Sequence, residues 1–213
     1  MVIDDDRPMV LQSLDEGVLT LTLNRGERFN PLSQAMIAGL DAALAAAARD
    51  DSIRAVVIAA AGRGFSAGHD LKEMRAHAAD SATFALPGVN IGVFCSTPAV
   101  GVARNIGRKH AMEMLLTGAP VDAQTALAWG LVNRVVPIDG LDAAIREFTE
   151  VIKARSAATI RLGKHAFYAQ IEQPIAAAYT TTGDVMAGNM ALADASEGID
   201  AFLGKRTPVW RGR

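Results

Sequence analysis

The hydrophobic positions of the first sixty residues follow two patterns. Val18–Leu23 reads VLTLTL, so leucine alternates with valine or threonine, and this alternation predicts a strand with one apolar face. Residues 54–60 read RAVVIAA, an apolar run that is typical of a strand covered on both faces in a parallel sheet. With a helix between these strands and a glycine-rich loop after the second, the order of elements indicates an α/β layer architecture.

The segment between the two strands predicts a helix. Asn30 can cap its amino end, and Pro31 suits the first helical position. Met36, Leu40 and Leu44 follow at a spacing of four among many alanines. This apolar face is narrow and its side chains are small, so we expect a neighbouring element to pack closely against it.

The second half of the sequence predicts mainly helices. The segment AMEMLLTG ends at Gly118, which suits a carboxyl-terminal cap, and Asp122 can cap a short helix over residues 123–129. Residues 131–136, LVNRVV, predict a short strand that Pro137 ends. The helices expected after residue 139 cover about residues 140–154, 157–170, 175–192 and 196–203.

Composition limits the classes of function. The chain has 213 residues, half of them hydrophobic, and a formal net charge of −2, which gives no support to nucleic-acid binding. No apolar run approaches the roughly 20 residues that span a bilayer, and the acidic start MVIDDD lacks the features of a signal peptide. The single cysteine, Cys95, fits a reducing compartment, and the four scattered histidines show no metal-ligand spacing. We therefore expect a cytoplasmic protein without a metal site, a membrane segment or a permanently bound cofactor.

The segment GRGFSAGHDLKEM, residues 62–74, carries the candidate chemistry. It joins a strand to a predicted helix, and the free N–H groups at such a helix start favour negative charge. Its glycine spacing does not fit the dinucleotide fingerprint, and it contains no P-loop sequence. A relay of Ser66, His69 and Asp70 is disfavoured because three residues so close on one loop cannot easily orient each other. Two interpretations stay open: a site for a carbonyl oxygen that becomes anionic, and a tight turn without chemistry.

Four segments of the sequence, taken in order, carry a family resemblance. They are LTLNRGERFNPLSQAM, GRGFSAGHDLKEM, AMEMLLTGAPVDAQTALAWGLVNRVVP and EGIDAFLGKRTPVWRG. Together they resemble the crotonase superfamily, the enoyl-CoA hydratase/isomerase family. The resemblance implies a crotonase/ClpP-like α/β core of repeated strand-strand-helix units at residues 1–138. It also implies a C-terminal helical region, residues 139–213, that joins subunits into a homotrimer or a hexamer made of two trimers.

The resemblance implies an acyl-CoA thioester as the ligand, with coenzyme A entering as part of the substrate. In the family, the residue after the loop glycine donates its backbone N–H to the thioester carbonyl, and here that residue is His69. The carbonyl of the residue before that glycine, here Ala67, receives the adenine amino group. Two fixed N–H donors stabilise an enolate oxygen, and the loss of one such donor typically costs about 2.7–4 kcal/mol.

Further CoA contacts follow from the same resemblance. Arg28, in the turn after the first predicted strand, would lie near the CoA phosphates, although a solvated surface arginine is an equal alternative. Phe202 and Lys205 match positions that reach the CoA of an adjoining subunit, and the alternatives are helix packing for Phe202 and an exposed lysine. The remaining residues expected beside CoA are Gly68, Asp70, Leu71, Pro87 and Gly88.

Two departures from the family pattern limit the expected activity. Hydratases of the family carry a catalytic glutamate in the context F-x-x-P-E, where this chain ends in Gly88, and glycine supplies neither an acid nor a base. Judged by ordinary domain length, a segment of roughly 50 residues, which would carry the second oxyanion donor, is also absent between Asp80 and Ser81. Because losing a central strand would disrupt a packed core, we expect a break there, with these two residues not covalent neighbours.

Three functions therefore stay open. The first is an enzyme of this family that stabilises a thioester enolate, with hydratase activity disfavoured by Gly88. The second is an acyl-CoA decarboxylase-type lyase, which depends more on the oxyanion hole than on a carboxylate base. The third is a non-catalytic acyl-CoA-binding relative. Two other side chains are weak candidates for a catalytic group. Glu73 suits a solvated position, and a lone cysteine such as Cys95 is more often part of a core.

Overall fold

The computed structural model describes residues 7–62, 64–66 and 80–212, and the chain divides after Glu147 into two compact units. Predictions made for residues 67–79 lie outside the described residues. The strands are β1 (Val10–Asp15), β2 (Val18–Leu23), β3 (Ala55–Ala60), β4 (Thr83–Phe84) and β5 (Val121–Asp122). The α-helices are α1 (Gln34–Ala47), α2 (Ser96–Asn105), α3 (Arg108–Thr117), α4 (Ala123–Trp129), α5 (Leu141–Lys153), α6 (Ala157–Gln170), α7 (Ile175–Met190) and α8 (Ala193–Leu203).

The first three strands form one sheet in the order β1, β2, β3. β1 runs antiparallel to β2, with Val10 opposite Leu23, and β2 runs parallel to β3, with Leu21 opposite Ile58. The parallel pair, with α1 as its crossover, confirms the predicted α/β architecture. β1 was not predicted, because polar residues interrupt its apolar positions and it buries Val10 alone.

The core of this sheet lies between β2 and α1. Leu21, Leu23 and Met36 are fully buried, and the small side chains of Ala43 and Ala47 bring α1 close to the sheet. The apolar face predicted from the alternation in β2 is therefore confirmed. Since burial of one leucine side chain contributes about 1.5–3 kcal/mol, this layer fixes α1 over the strand that leads into the first turn of the site.

The expectation that β3 is covered on both faces is wrong. Val56 is 39% exposed and Ile58 is 44% exposed, although both share a face with the buried leucines of β2. The core beneath α1 takes in those leucines and reaches only Ala60 of β3. Within the described ranges, β2 is the one strand that pairs with β3, so β3 is an edge strand there.

The amino end of α1 also differs from its prediction. Ser33 is the N-cap, and its hydroxyl accepts a hydrogen bond from the Met36 N–H at 3.3 Å. Asn30 lies three residues earlier with φ at +48°, a left-handed conformation that asparagine tolerates better than most residues. The Asn30 side chain therefore does not cap α1, and the hydrogen bonds that it makes instead are described below.

Residues 80–147 complete the first unit around a second apolar cluster. It contains Leu86, Ile106, Ala111, Met114 and Leu115. As predicted, Asp122 caps α4 by accepting the Thr125 N–H at 2.7 Å, and Gly118 adopts the left-handed conformation after α3.

One prediction for this part of the chain fails. Residues 131–136 do not form the predicted strand; only Val136 makes an isolated bridge, and its carbonyl accepts the Asp80 N–H at 3.0 Å. The segment expected between Asp80 and Ser81 stays a prediction.

The second unit consists of the end of α5, then α6, α7, α8 and a C-terminal tail. The predicted helices agree with α5–α8 to within three residues at every end. Many of its large apolar side chains are exposed, among them Phe167, Tyr179 and Met186. Among the residues that the structure describes, no helix combines the length and apolarity needed to cross a membrane.

Candidate functional site

The glycine-rich loop after β3 packs backbone to backbone against the turn after β2. A Cβ on Gly26 would lie 2.5 Å from the Ala61 carbonyl oxygen, and one on Gly62 would lie 2.7 Å from the Gly26 Cα. Gly62 also has φ at +84°, and a Cβ on Gly64 would lie 2.9 Å from the Phe29 ring. Contacts within the chain therefore favour glycine at positions 62 and 64.

Asn30 fastens the two turns together. Its side-chain oxygen accepts the Arg25 N–H at 2.7 Å, and its amide nitrogen donates to the carbonyls of Ala61 and Gly64 at 2.8 and 2.9 Å. The Ser66 hydroxyl adds a bond to the Asn30 carbonyl at 2.9 Å. Asn30 is fully buried, and its bonds with Arg25 and Gly64 are buried as well, so they fix the start of the loop.

Sequence reasoning missed this role. Asparagine before proline suggested a helix cap, and the one available signal was the asparagine itself, whose tolerance of positive φ suits a turn. The predicted oxyanion donor and its neighbours, His69, Ala67, Gly68, Asp70 and Leu71, lie outside the described residues. What the structure does describe is residues 61, 62 and 64–66, the anchored stretch that leads into them.

Arg28 lies at the end of a short 3₁₀ turn, Gly26–Arg28, and is exposed. Because Gly26 contacts the loop after β3, the turn that carries Arg28 lies beside that loop. Arg25, in contrast, is buried, and its guanidinium donates to the carbonyl oxygens of Arg7, Asn24 and Pro8. Arg28 is thus the exposed arginine of this turn, and whether it meets a phosphate stays a prediction.

Pro87 and Gly88 begin a second 3₁₀ turn, Pro87–Ile91, in the other half of the first unit. The Gly88 N–H donates to the Cys95 thiol sulfur at 3.3 Å. A Cβ on Gly88 would lie 2.7 Å from that sulfur and closer still to the Val93 carbonyl oxygen. The position where family hydratases carry a glutamate therefore has no room for a side chain, because the backbone and the thiol of residues 93–95 fill the space.

Phe202 and Lys205 lie at the carboxyl end of α8 in the second unit. Phe202 is 82% exposed, so the alternative of packing within the chain does not account for it. It lines a cavity of about 570 Å³ among α6, α7, α8 and Trp210. Lys205 is exposed and has φ at +50°.

The tail after α8 is held by two carboxylates of that helix. Glu197 accepts both guanidinium nitrogens of Arg206, at 2.6 and 2.9 Å, and the Val209 N–H at 2.7 Å. The Arg206 bonds, followed by the Val209 bond, lower the pKa of Glu197 to about 2.

Asp194, one turn earlier, accepts the Ser156 hydroxyl at 2.6 Å and the N–H groups of Arg211 and Gly212. The Ser156 bond is the main reason that the pKa of Asp194 lies below its usual range. The Trp210 indole N–H also donates to the Ala154 carbonyl at 2.9 Å. The tail is therefore tied to the helices at five positions after Lys205: Arg206 and each of residues 209–212.

The described residues offer no group of three histidine, cysteine or acidic side chains that could hold a metal ion. The sequence-predicted site residues thus fall into three places. Arg28 lies beside the anchored loop, Pro87 and Gly88 lie around Cys95, and Phe202 and Lys205 lie at the end of α8.

Comparison with known proteins bears on the whole chain. A model of the enoyl-CoA hydratase/isomerase family matches residues 75–213, and a second model with the same description matches residues 18–81. The chain belongs to the enoyl-CoA hydratase/isomerase family. Its fold is the crotonase fold of that family, as the resemblance in the four sequence segments predicted.

Solved structures of family members agree with this assignment. The crystal structure of an enoyl-CoA hydratase from Mycobacterium smegmatis is 42% identical and has a TM-score of 0.90, covering 96% of this chain and 99% of that one. The structure of human enoyl-CoA hydratase domain-containing protein 3 is 34% identical with a TM-score of 0.89, covering 96% and 100% of the two chains.

The curated human relative of that name, a mitochondrial protein, shows how this family member differs in length. It is 35% identical, covering 97% of this chain and 84% of its own. The alignment spans 256 positions and includes 97% of the 213 residues of this chain. About 50 positions of the alignment are therefore occupied in the human protein and have no residue here. The two family models meet at residues 75–81, where the sequence predicted the absent segment.

Proposed function

We propose that this family member binds acyl-CoA thioesters and stabilises the enolate of the bound acyl group at the loop after β3. The observation that carries the proposal is the anchoring of that loop by Asn30 and by the Gly26–Gly62 contact. An N–H donor stabilises a developing oxyanion well only if it is fixed before the reaction, and both contacts hold the chain that leads to residue 69.

Hydration of a double bond is not the reaction that these residues favour. Hydration needs one group to activate water and another to protonate the α-carbon. Gly88 supplies neither, and the Cys95 sulfur and the Val93 carbonyl leave no space there for a carboxylate. We therefore propose chemistry in which the oxyanion site stabilises the enolate while water or buffer accepts the α-proton and returns it, such as α-proton exchange. A decarboxylase-type lyase belongs to the same class of reaction.

A second candidate is an acyl-CoA-binding protein without turnover. The absence of about 50 alignment positions favours it, because the second oxyanion donor was expected in that segment. A single N–H donor would leave part of the enolate charge uncompensated. The two candidates share the ligand and differ in whether the α-carbon ever loses its proton.

One experiment separates these functions. The protein is incubated in D₂O with butyryl-CoA, and deuterium entry at the α-carbon is followed by mass spectrometry, while crotonyl-CoA absorbance reports hydration. His69→Pro removes the backbone N–H at the proposed donor, whereas the matched control His69→Ala keeps it. We expect exchange by the wild type and by His69→Ala, and about 10²–10³-fold slower exchange by His69→Pro, with no hydration by any of them.

The outcomes are distinct. Binding of butyryl-CoA without exchange by the wild type identifies the second candidate. Equal losses in His69→Pro and His69→Ala would assign the effect to the imidazole and contradict a backbone donor. Release of CO₂ from a carboxyacyl-CoA would identify the lyase. Absence of any binding to CoA thioesters would remove all of these functions together.

We also propose that the protein assembles as a homotrimer or as a dimer of trimers through its helical unit. The exposed apolar side chains of α6, α7 and α8, including Phe167, Tyr179 and Met186, support association, because monomers rarely expose large apolar patches. Sedimentation equilibrium gives the subunit number. A monomer at micromolar concentration would contradict this proposal without affecting the one on acyl-CoA binding.

A further inference from the structure

The three-stranded sheet of the first unit has two edges whose side chains differ. At one edge, β1 carries Gln12, Ser13 and Asp15 among its apolar residues. At the other edge, β3 reads AVVIAA, without a charged residue, a polar residue or a proline. Charged residues and proline are common protections of an edge strand against pairing with another chain. Among the strands that the structure describes in this sheet, β3 is therefore the edge without that protection.

The face of β3 on the side of α1 is also uncovered. A Cβ on Gly39 of α1 would lie 3.4 Å from the Val10 side chain, so α1 lies over β1 and the buried leucines of β2. Val56 and Ile58 project from the same face of the sheet and stay exposed. β3 thus presents main-chain N–H and C=O groups at its edge and two branched apolar side chains beside them.

The length of the chain accounts for this open edge. About 50 alignment positions that the human relative fills have no residue here, and the two family models meet at residues 75–81, after β3. Consecutive strands of a sheet are usually neighbours, as β2 and β3 are. Since β2 occupies one side of β3, a strand supplied by those positions would pair with the other side. Within the described ranges, no strand of this chain takes that place.

We propose that β3 pairs antiparallel with β3 of a second copy of this chain, across a twofold axis perpendicular to the sheet. Such an interface uses the same surface on both copies, so the strand must complement itself. β3 does so, because it is apolar throughout and brings no like charges together. A pair centred on Val57 places Val56 opposite Ile58 of the partner subunit, at about 4.5–5.5 Å between Cβ atoms. The pairing also gives the main-chain groups along the open edge their hydrogen-bond partners.

The test measures the subunit number and the protection of β3 in the full chain. Sedimentation equilibrium gives the mass of the wild type, Val56→Lys and Ile58→Lys, because lysine on an edge strand opposes pairing. Leu11→Lys is the matched control, since Leu11 lies on the other edge strand and is 44% exposed, as Ile58 is. Hydrogen exchange followed by mass spectrometry reports on the β3 amides. Circular dichroism confirms that each variant is folded.

The wild type should contain an even number of subunits, because each copy has one β3. Val56→Lys and Ile58→Lys should each halve the mass, whereas Leu11→Lys should leave it unchanged. By mass action, the β3 amides of the wild type should exchange more slowly at high protein concentration than after dilution. Association through the helical unit alone would protect α6–α8 and leave exchange in β3 independent of concentration, which would contradict the inference.

The contrary masses are equally clear. An odd subunit number in the wild type would overturn the inference. So would an even number that survives both lysine substitutions in β3, because the contact would then lie elsewhere. Halving of the mass by Leu11→Lys as well would show a general effect of a surface lysine. If the lysine variants of β3 do not fold, Val56→Thr and Ile58→Thr replace them, since threonine keeps the branching that suits a strand and should still weaken the pairing.

Discussion

Asn30 is the residue whose removal should damage the site most. Its side chain satisfies the Arg25 N–H and the carbonyls of Ala61 and Gly64, and it is fully buried. Replacement by alanine leaves three polar groups without their partner, each at a cost of about 1–3 kcal/mol when water cannot reach it. Because the Ala61 bond is only partly buried, we expect a loss of about 3–5 kcal/mol.

That loss is measurable by urea unfolding. For a slope of about 2 kcal/mol per molar urea, a change of about 4 kcal/mol moves the midpoint by about 2 M. The control is Asn24→Ala, since Asn24 makes a single side-chain bond, to the Pro8 carbonyl at 2.9 Å, near the surface. We expect that variant to lose about 1 kcal/mol or less. A midpoint for Asn30→Ala that matches the Asn24 control would refute the reasoning.

Asn30→Asp adds a test by pH. The aspartate keeps the bond from the Arg25 N–H but turns a second oxygen toward the carbonyls of Ala61 and Gly64. Burial and those carbonyl oxygens should raise the pKa of Asp at this position, since the protonated form can donate one hydrogen bond. The variant should therefore be closest to wild-type stability at pH 4 and lose stability as pH rises through the raised pKa. Equal destabilisation at pH 4 and pH 7 would contradict this.

The remaining predictions concern the other two parts of the site. Gly88→Ala should lose about 1–3 kcal/mol in urea unfolding, because the new methyl group meets the Val93 carbonyl; Gly88→Glu should gain no crotonyl-CoA hydration, and a gain would contradict the geometry. Lys205→Gly should relieve strain of about 1 kcal/mol and raise the melting temperature by about 2–4 °C, whereas a lower value would show that the turn is unstrained. The pKa of Glu197 lies at about 2, mainly because of the bonds from Arg206, so its contribution to stability is complete above the ordinary glutamate pKa and is lost as pH falls toward 2. Melting temperatures from pH 6 to pH 3 should thus converge for the wild type and Glu197→Gln, and parallel curves would contradict the lowered pKa.

Local patterns predicted much of the fold. The alternation in β2 and the helical pattern over residues 157–170 identified both elements with their observed bounds, since each depends on neighbours within a few residues. The capping roles of Asp122 and Gly118 were found for the same reason. Elements whose conformation is set by nearby residues are thus accessible from the sequence.

Contacts between distant residues were not accessible. The apolar sequence of β3 suggested two covered faces, but its neighbours in space decide its exposure, and Val56 and Ile58 are exposed. Asn30 looked like a cap because nothing in the sequence shows its partners 31 and 34 residues away. Likewise, the lack of a carboxylate at Gly88 was visible in the sequence, whereas the Cys95 sulfur that fills the space was not.

The contact between Gly26 and Gly62 constrains how this protein can change over evolution. A side chain at either position would strike main-chain atoms, the Ala61 carbonyl or the Gly26 Cα, and main-chain atoms cannot be made smaller by substitution elsewhere. Compensating mutations, which often rescue a crowded core, are therefore not available here. We therefore expect both glycines to be retained during evolution. The contact between the two turns that lead to the site would then stay the same while the surrounding surface varies.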